Sequence, residues 1–151
     1  MAQPRPDRPY VQFNFWVTIP GLDSPNEPAA GFQECSNIGT EVTIVEYRNG
    51  NDAFNNVRKI VGMNKATDLT LKRGVIGSLK FYEWLNQLRL GNQERKDVVI
   101  ELKDETRTNT VQTWTLYNAL ISKHVTGPFN AKGTDVLMEE MTFVYERLEI
   151  T

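Results

Sequence analysis

The chain has 151 residues, 40% hydrophobic and 24% charged, with a net charge of −2. That composition describes one globular domain able to bury a core. Near neutrality gives no electrostatic basis for binding nucleic acid or an anionic membrane. A lone cysteine, Cys35, excludes an internal disulfide, and no apolar run approaches the roughly 20 residues of a membrane helix.

Residues 1–9 form a Pro-rich arm with Arg5 and Arg8 and no apolar segment of the kind a secretory signal needs. From Tyr10 to Ile19 the pattern has a period of two. Val11, Phe13, Phe15, Val17 and Ile19 share one face, which predicts a strand with a fully apolar side. Pro20-Gly21 ends it, and Pro25 and Pro28 keep the next stretch a loop. Gly31–Ile38, with Cys35 as a small packed residue, and Glu41–Tyr47 read as two further strands.

Residues 48–66 are rich in Asn and Gly and carry Arg48, Arg58, Lys59 and Lys65. They read as a long loop or a weak hairpin, and a loop of that length in a compact domain is commonly functional. Thr67–Arg73 is a strand with Leu69 and Leu71 on one side. A helix follows over 78–90, with Ser78 as N-cap and Gly91 just past its end. Phe81, Trp84, Leu85 and Leu88 lie on one helical face, and Tyr82 widens the stripe. Such a stripe covers a sheet, with an outer edge left for a neighbour.

Val98–Lys103 is a strand. Val111–Tyr117 and Leu120–Thr126 read as one strand bent near Asn118-Ala119. Val136–Ile150 reads as one long last strand whose apolar face changes along its length, which implies a bulge or two different neighbours. The sum is mainly β, a β-barrel or sandwich with one flanking α-helix. Its open strand edges favour pairing between copies.

Catalytic chemistry finds no footing. His124 is the only histidine, with no second His or Cys pair to complete a metal site. Glu139 and Glu140 are neighbours in a strand and point to opposite sides, so they read as surface or interface charges. Lys132-Gly133-Thr134 lacks the order and the following helix of a phosphate loop. No catalytic residue, metal or cofactor is expected.

Several runs together resemble the inner tube proteins of contractile phage tails and related injection systems. They are Glu46-Tyr47-Arg48-Asn49-Gly50, Leu69-Thr70-Leu71-Lys72-Arg73-Gly74-Val75 and Phe81-Tyr82-Glu83-Trp84-Leu85-Asn86. Lys96–Ile100, Trp114–Ala119 and Gly127-Pro128-Phe129-Asn130-Ala131 fit as well. The likeness is strongest to the antifeeding-prophage and virulence-cassette type, and it covers roughly residues 10–150. It implies a tail-tube domain over 10–151, similar to hemolysin-coregulated protein, that forms hexameric rings stacked into a hollow tube within a contractile sheath.

On that resemblance the partners are further copies of the chain, the sheath protein, baseplate or hub and tube-terminating proteins, and cargo in the lumen. Nucleic-acid specificity and a membrane span are not implied. Assembly in the cytoplasm of a producing bacterium and residence in a phage tail-like particle are. The loop carrying Arg48, Asn49, Asn51, Asp52, Arg58, Lys59 and Lys65 corresponds to the family's ring-stacking loop, although Val61-Gly62 stands where relatives often carry Pro-Gly. A monomeric, small-ligand-binding β-barrel is the alternative class.

Overall fold

The structure is a computed structural model that describes residues 4–22 and 31–151. The loop expected at Pro25 and Pro28 and the first three residues of the arm lie outside the described residues. The elements, in order, are β1 (Phe15–Thr18), β2 (Glu34–Cys35), β3 (Thr40–Tyr47), β4 (Arg58–Ala66), β5 (Leu69–Gly74), α1 (Lys80–Arg89), β6 (Lys96–Lys103), β7 (Thr110–Thr126), β8 (Met138–Val144) and β9 (Arg147–Ile150). Among the described residues the fold is mainly β with one helix, as the periodicity predicts.

One sheet runs β1-β6-β7-β8-β5-β2, with β9 also on β7, and every pairing is antiparallel. It does not close on itself within the chain. Its alternation is strict where one face is buried: Leu69 and Leu71 on β5 face Phe143 and Met141 on β8, and all four are fully buried. Helix α1 packs against β7 on that same face. Phe81 meets Phe143 edge-on at 5.9 Å between ring centres, and Trp84 lies 5.8 Å from Phe143.

The first strand is shorter than its pattern. Phe15, Val17 and Ile19 do point inward, but pairing with β6 begins only at Phe15. Asn14, of the opposite parity to the apolar face, is also buried. Its carbonyl accepts from Lys103 N–H at 2.8 Å and its amide donates to the Asp104 carbonyl at 3.3 Å. These bonds hold Asn14 at the end of the sheet, and Phe13 beyond it is exposed. The Gly31–Ile38 strand shrinks to Glu34–Cys35. It is extended by Gln33 N–H to the Lys72 carbonyl and by the Ser36 hydroxyl, which accepts from Thr70 N–H at 2.8 Å.

Strand β7 bends where the sequence places the bend, because it carries an extra residue there. Lys96 pairs with Ala119 and Val98 with Leu116, so Asp97 faces a surplus residue on β7. Asn118 adopts φ of +56°, a left-handed conformation that Asn tolerates. Its displaced N–H donates to Asp97 Oδ1 at 3.1 Å, and its amide donates to Glu146 Oε2 at 3.0 Å.

Opposite this bend the predicted long last strand breaks in two. Strand β8 pairs with the far half of β7 and with β5, whereas β9 pairs with the near half of β7. The two neighbours explain the change of face. The helix ends as predicted, Gly91 having φ of +94°, but its N-cap is Leu79 without a side-chain bond, not Ser78. The helix begins at Lys80, which leaves Ser78 one residue too early to cap it.

Candidate assembly surface

Strands β3 and β4 form a two-stranded sheet of their own, apart from the main sheet. Of the two readings of 48–66, a long loop or a weak hairpin, the structure has the hairpin. Only 48–57 is a turn, and 58–66 is the return strand of a ribbon whose outgoing strand is Thr40–Tyr47. Thr40 pairs with Ala66 at the base and Tyr47 with Arg58 near the tip. The base is tied to the body by Thr67 N–H to the Gly39 carbonyl at 2.9 Å and by the Tyr145 hydroxyl to the same carbonyl at 3.2 Å. A register shift lies between Val42 and Ile44. Gly62 fits there because a Cβ would stand 2.8 Å from the Thr43 carbonyl oxygen.

The polar residues expected to reach a neighbour are largely spent inside the ribbon. Arg48 donates to the carbonyls of Phe54 (3.2 Å) and Asp52 (3.4 Å) and to Asn55 Oδ1 (3.3 Å). It thereby fastens the turn. Asp52 accepts from Asn49 N–H at 3.0 Å and pairs with Arg58 at 3.2 Å. The Tyr47 hydroxyl bonds Asn49, and Lys59 pairs with Glu46 across the strands. Lys65 faces Glu41 in the register, and Asn51 is exposed on the turn.

What sequence reasoning missed is the apolar content of the ribbon. Val42, Ile44, Val45, Tyr47, Ile60, Val61 and Met63 are all between 45% and 82% exposed. Ile60-Val61 within a polar stretch was the available signal. It was masked by the flanking Arg58-Lys59 and Asn64-Lys65.

On the helix, Phe81 and Trp84 are buried, Leu85 and Leu88 half-buried, and Tyr82 exposed. Trp84 Nε1 donates to the Glu94 carbonyl at 3.0 Å. Tyr82 lies outside the core and accepts from Arg89 at 3.3 Å.

Glu139 is not a surface charge. It is opposite Arg73 in the register of β5 and β8, and both are buried and ion-paired. Arg73 shares the parity of Leu69 and Leu71, and its guanidinium stacks 4.8 Å from the Phe81 ring. His124 Nε2 lies 3.2 Å from the other Glu139 oxygen and is mostly buried.

Cys35 is half-buried against the core, and burial pushes its thiol up to about 11. It lines an open groove of about 580 Å³ with Phe13, Phe15, Leu102 and Trp114. At the β6–β7 turn the Thr106 hydroxyl and Asn109 amide hold the Asp104 carboxyl down at about 2. Among the described residues no cluster of three metal-ligating side chains occurs. No helix there is long and apolar enough to cross a membrane.

The accessible surface of the chain is 10725 Å². A compact monomer of this mass exposes about 7,800 Å². The uncovered β3–β4 ribbon contributes to the difference. The sequence profile of the T4-like virus tail tube protein gp19 matches residues 11–149.

The chain belongs to that tail tube family. Solved structures agree. A chain of the PVC sheath-tube complex of an extracellular contractile injection system, in the extended state, is 26% identical, with 96% of this chain and 93% of that one covered and a TM-score of 0.81. A chain of the anti-feeding prophage tube-terminating cap is 28% identical, over 99% and 95% of the two chains, also at 0.81. Hcp1 of Flavobacterium johnsoniae, at 14% identity, 91% and 94% coverage and a TM-score of 0.57, shares the fold. No curated protein sequence matches. Membership of a tail tube family accounts for a subunit whose main sheet is open and whose ribbon is uncovered.

Proposed function

We infer that this protein is the structural inner tube subunit of a contractile injection system, forming rings that stack into a hollow tube. The observation that carries the reading is the tail tube family match across residues 11–149. The physics agrees with it. Open sheet edges are satisfied by strands of adjacent copies, and a closed cyclic ring that stacks gives a filament.

The face of the main sheet away from α1 holds half-buried Thr113, Thr115 and Thr142. Among them are the pairs Lys103–Glu101 at 2.8 Å and Lys72–Glu140 at 3.9 Å. The same face carries exposed Trp16, opposite Glu101, and Val99, opposite Thr115, so it mixes threonines and charge pairs with apolar side chains. We propose this face as the lumen wall.

The remaining partners rest on the complexes named above. A surrounding sheath and a terminating cap follow from the PVC and anti-feeding prophage structures, and a baseplate from an anti-feeding prophage baseplate structure. Residence in an extracellular particle, after assembly in the producing cell, belongs with them. The role requires no catalysis. Negative-stain microscopy of the purified protein decides the function: rings or tubes are expected. A dispersed monomer, at concentrations up to the limit of solubility, would favour the alternative, a ligand-binding barrel.

A further inference from the structure

Asn49-Gly50 is the one place in the chain where Gly follows Asn. It lies in the turn that joins β3 to β4. In such a pair the backbone nitrogen of the glycine can attack the side-chain amide carbon of the asparagine, because glycine has no Cβ to shield it. The turn leaves the reacting atoms unoccupied. Gly50 is exposed, and nothing stands within 4 Å of where its Cβ would be. Among the described residues neither the Gly50 N–H nor the Asn49 side-chain NH2 has an acceptor.

The amide oxygen of Asn49, by contrast, is held. The Tyr47 hydroxyl donates to Oδ1. That bond draws electrons from the carbon under attack and supports the negative charge the oxygen acquires. The main chain is fixed as well. The Asn49 N–H donates to Asp52 Oδ2 at 3.0 Å, and the Asn49 carbonyl accepts from Asp52 N–H at 3.2 Å. Asn51 is exposed in the same turn, but it is followed by Asp52 and so lacks the unshielded nitrogen.

We propose that Asn49 is a self-modification site, converted through a cyclic imide to aspartate and isoaspartate, with the Tyr47 hydroxyl promoting ring closure. In the first step the bond from Gly50 N to Asn49 Cγ forms and the Cγ–Nδ2 bond breaks. Water carries the Gly50 amide proton to Nδ2, which leaves as ammonia. In the second step one water opens the ring, and no oxidant or reductant takes part. Attack at the side-chain carbonyl gives aspartate. Attack at the backbone carbonyl gives isoaspartate, which adds one atom to the main chain at the turn. Either product sets a new carboxylate near that of Asp52, where like charges repel. The two bonds between residues 49 and 52 lose their alignment, and the turn loosens. The site belongs to the single chain and is independent of the tube-subunit reading.

The test follows the purified full-length chain in warm neutral buffer by intact mass and peptide mapping. A gain of one mass unit is expected at Asn49, with both aspartate isomers resolved by fragmentation and one heavy oxygen taken up from labelled water. Gly50→Ala is expected to slow the conversion at least tenfold, because a methyl shields the nitrogen. The alanine meets open space and Gly50 is not in the left-handed region, so Tm should not move. Tyr47→Phe separates activation from mere ordering of the turn. Loss of activation slows the conversion several-fold, whereas loss of order alone speeds it. Conversion of Asn49 no faster than Asn51, or a Gly50→Ala chain that reacts at the wild-type rate, overturns the proposal. An equal or faster rate in Tyr47→Phe overturns the part given to Tyr47.

Discussion

Arg73 and Glu139 show how parity along a strand outranks the chemical character of a side chain. Both occupy inward positions, after Leu69 and Leu71 on β5 and beside Met141 on β8, and the fold buries them as a pair joined by His124. Removing one partner strands the other charge in the core. Glu139→Ala should therefore cost about 3–5 kcal/mol in denaturant unfolding, and the double change Arg73→Met with Glu139→Leu should recover most of it. A double variant as unstable as the single one would show that the pair is worth more than its volume in apolar side chains.

Cys35 offers a test with a definite sign. Burial raises its thiol from 9.0 to about 11 in the folded chain, so the fold favours the protonated form. Its contribution to stability is whole below pH 9 and is lost as pH rises from 9 to about 11, because the unfolded thiol ionises first. Stability of the wild type should fall more steeply than that of Cys35→Ala across this window. Parallel curves would show that the thiol is not desolvated.

Among the elements, α1 is the one whose reading from periodicity stands almost unchanged. Its inward face, Phe81 and Trp84, closes the core over Phe143, with an edge-on ring contact from Phe32 at 6.0 Å to Phe81. Trp84→Ala removes a buried indole and its hydrogen bond to the Glu94 carbonyl, and should destabilise the monomer by about 3–5 kcal/mol. An unchanged Tm with lost assembly would move Trp84 to an interface.

The β7 bend was equally visible, since Asn118 interrupts an apolar alternation. The break between β8 and β9 was visible only as a change of face. Which neighbours caused it depended on β7 carrying an extra residue opposite Asp97.

For the molecule as a whole, the ribbon separates folding from assembly. Among the described residues strands β3 and β4 pair only with each other, and Thr40 faces Ala66 at the ribbon's base. Replacing residues 41–65 by a two-residue Gly-containing turn should leave a folded monomer with a nearly unchanged Tm and abolish tubes. Calorimetry and microscopy on the same sample check both halves. Tubes of normal length from this variant would remove the ribbon from the assembly surface.

The sequence by itself determined the mainly β class, the single helix, the bend in β7 and the tail tube family. Those depend on local periodicity and on motifs that stay together along the chain. Only the tertiary structure decided that 58–66 is a strand, because a strand with apolar residues on both faces shows no alternation to detect. It also decided that Arg48, Asp52 and Lys59 hold the ribbon together while Ile44, Ile60 and Val61 are left exposed, because partners across a hairpin are set by register and not by distance along the chain.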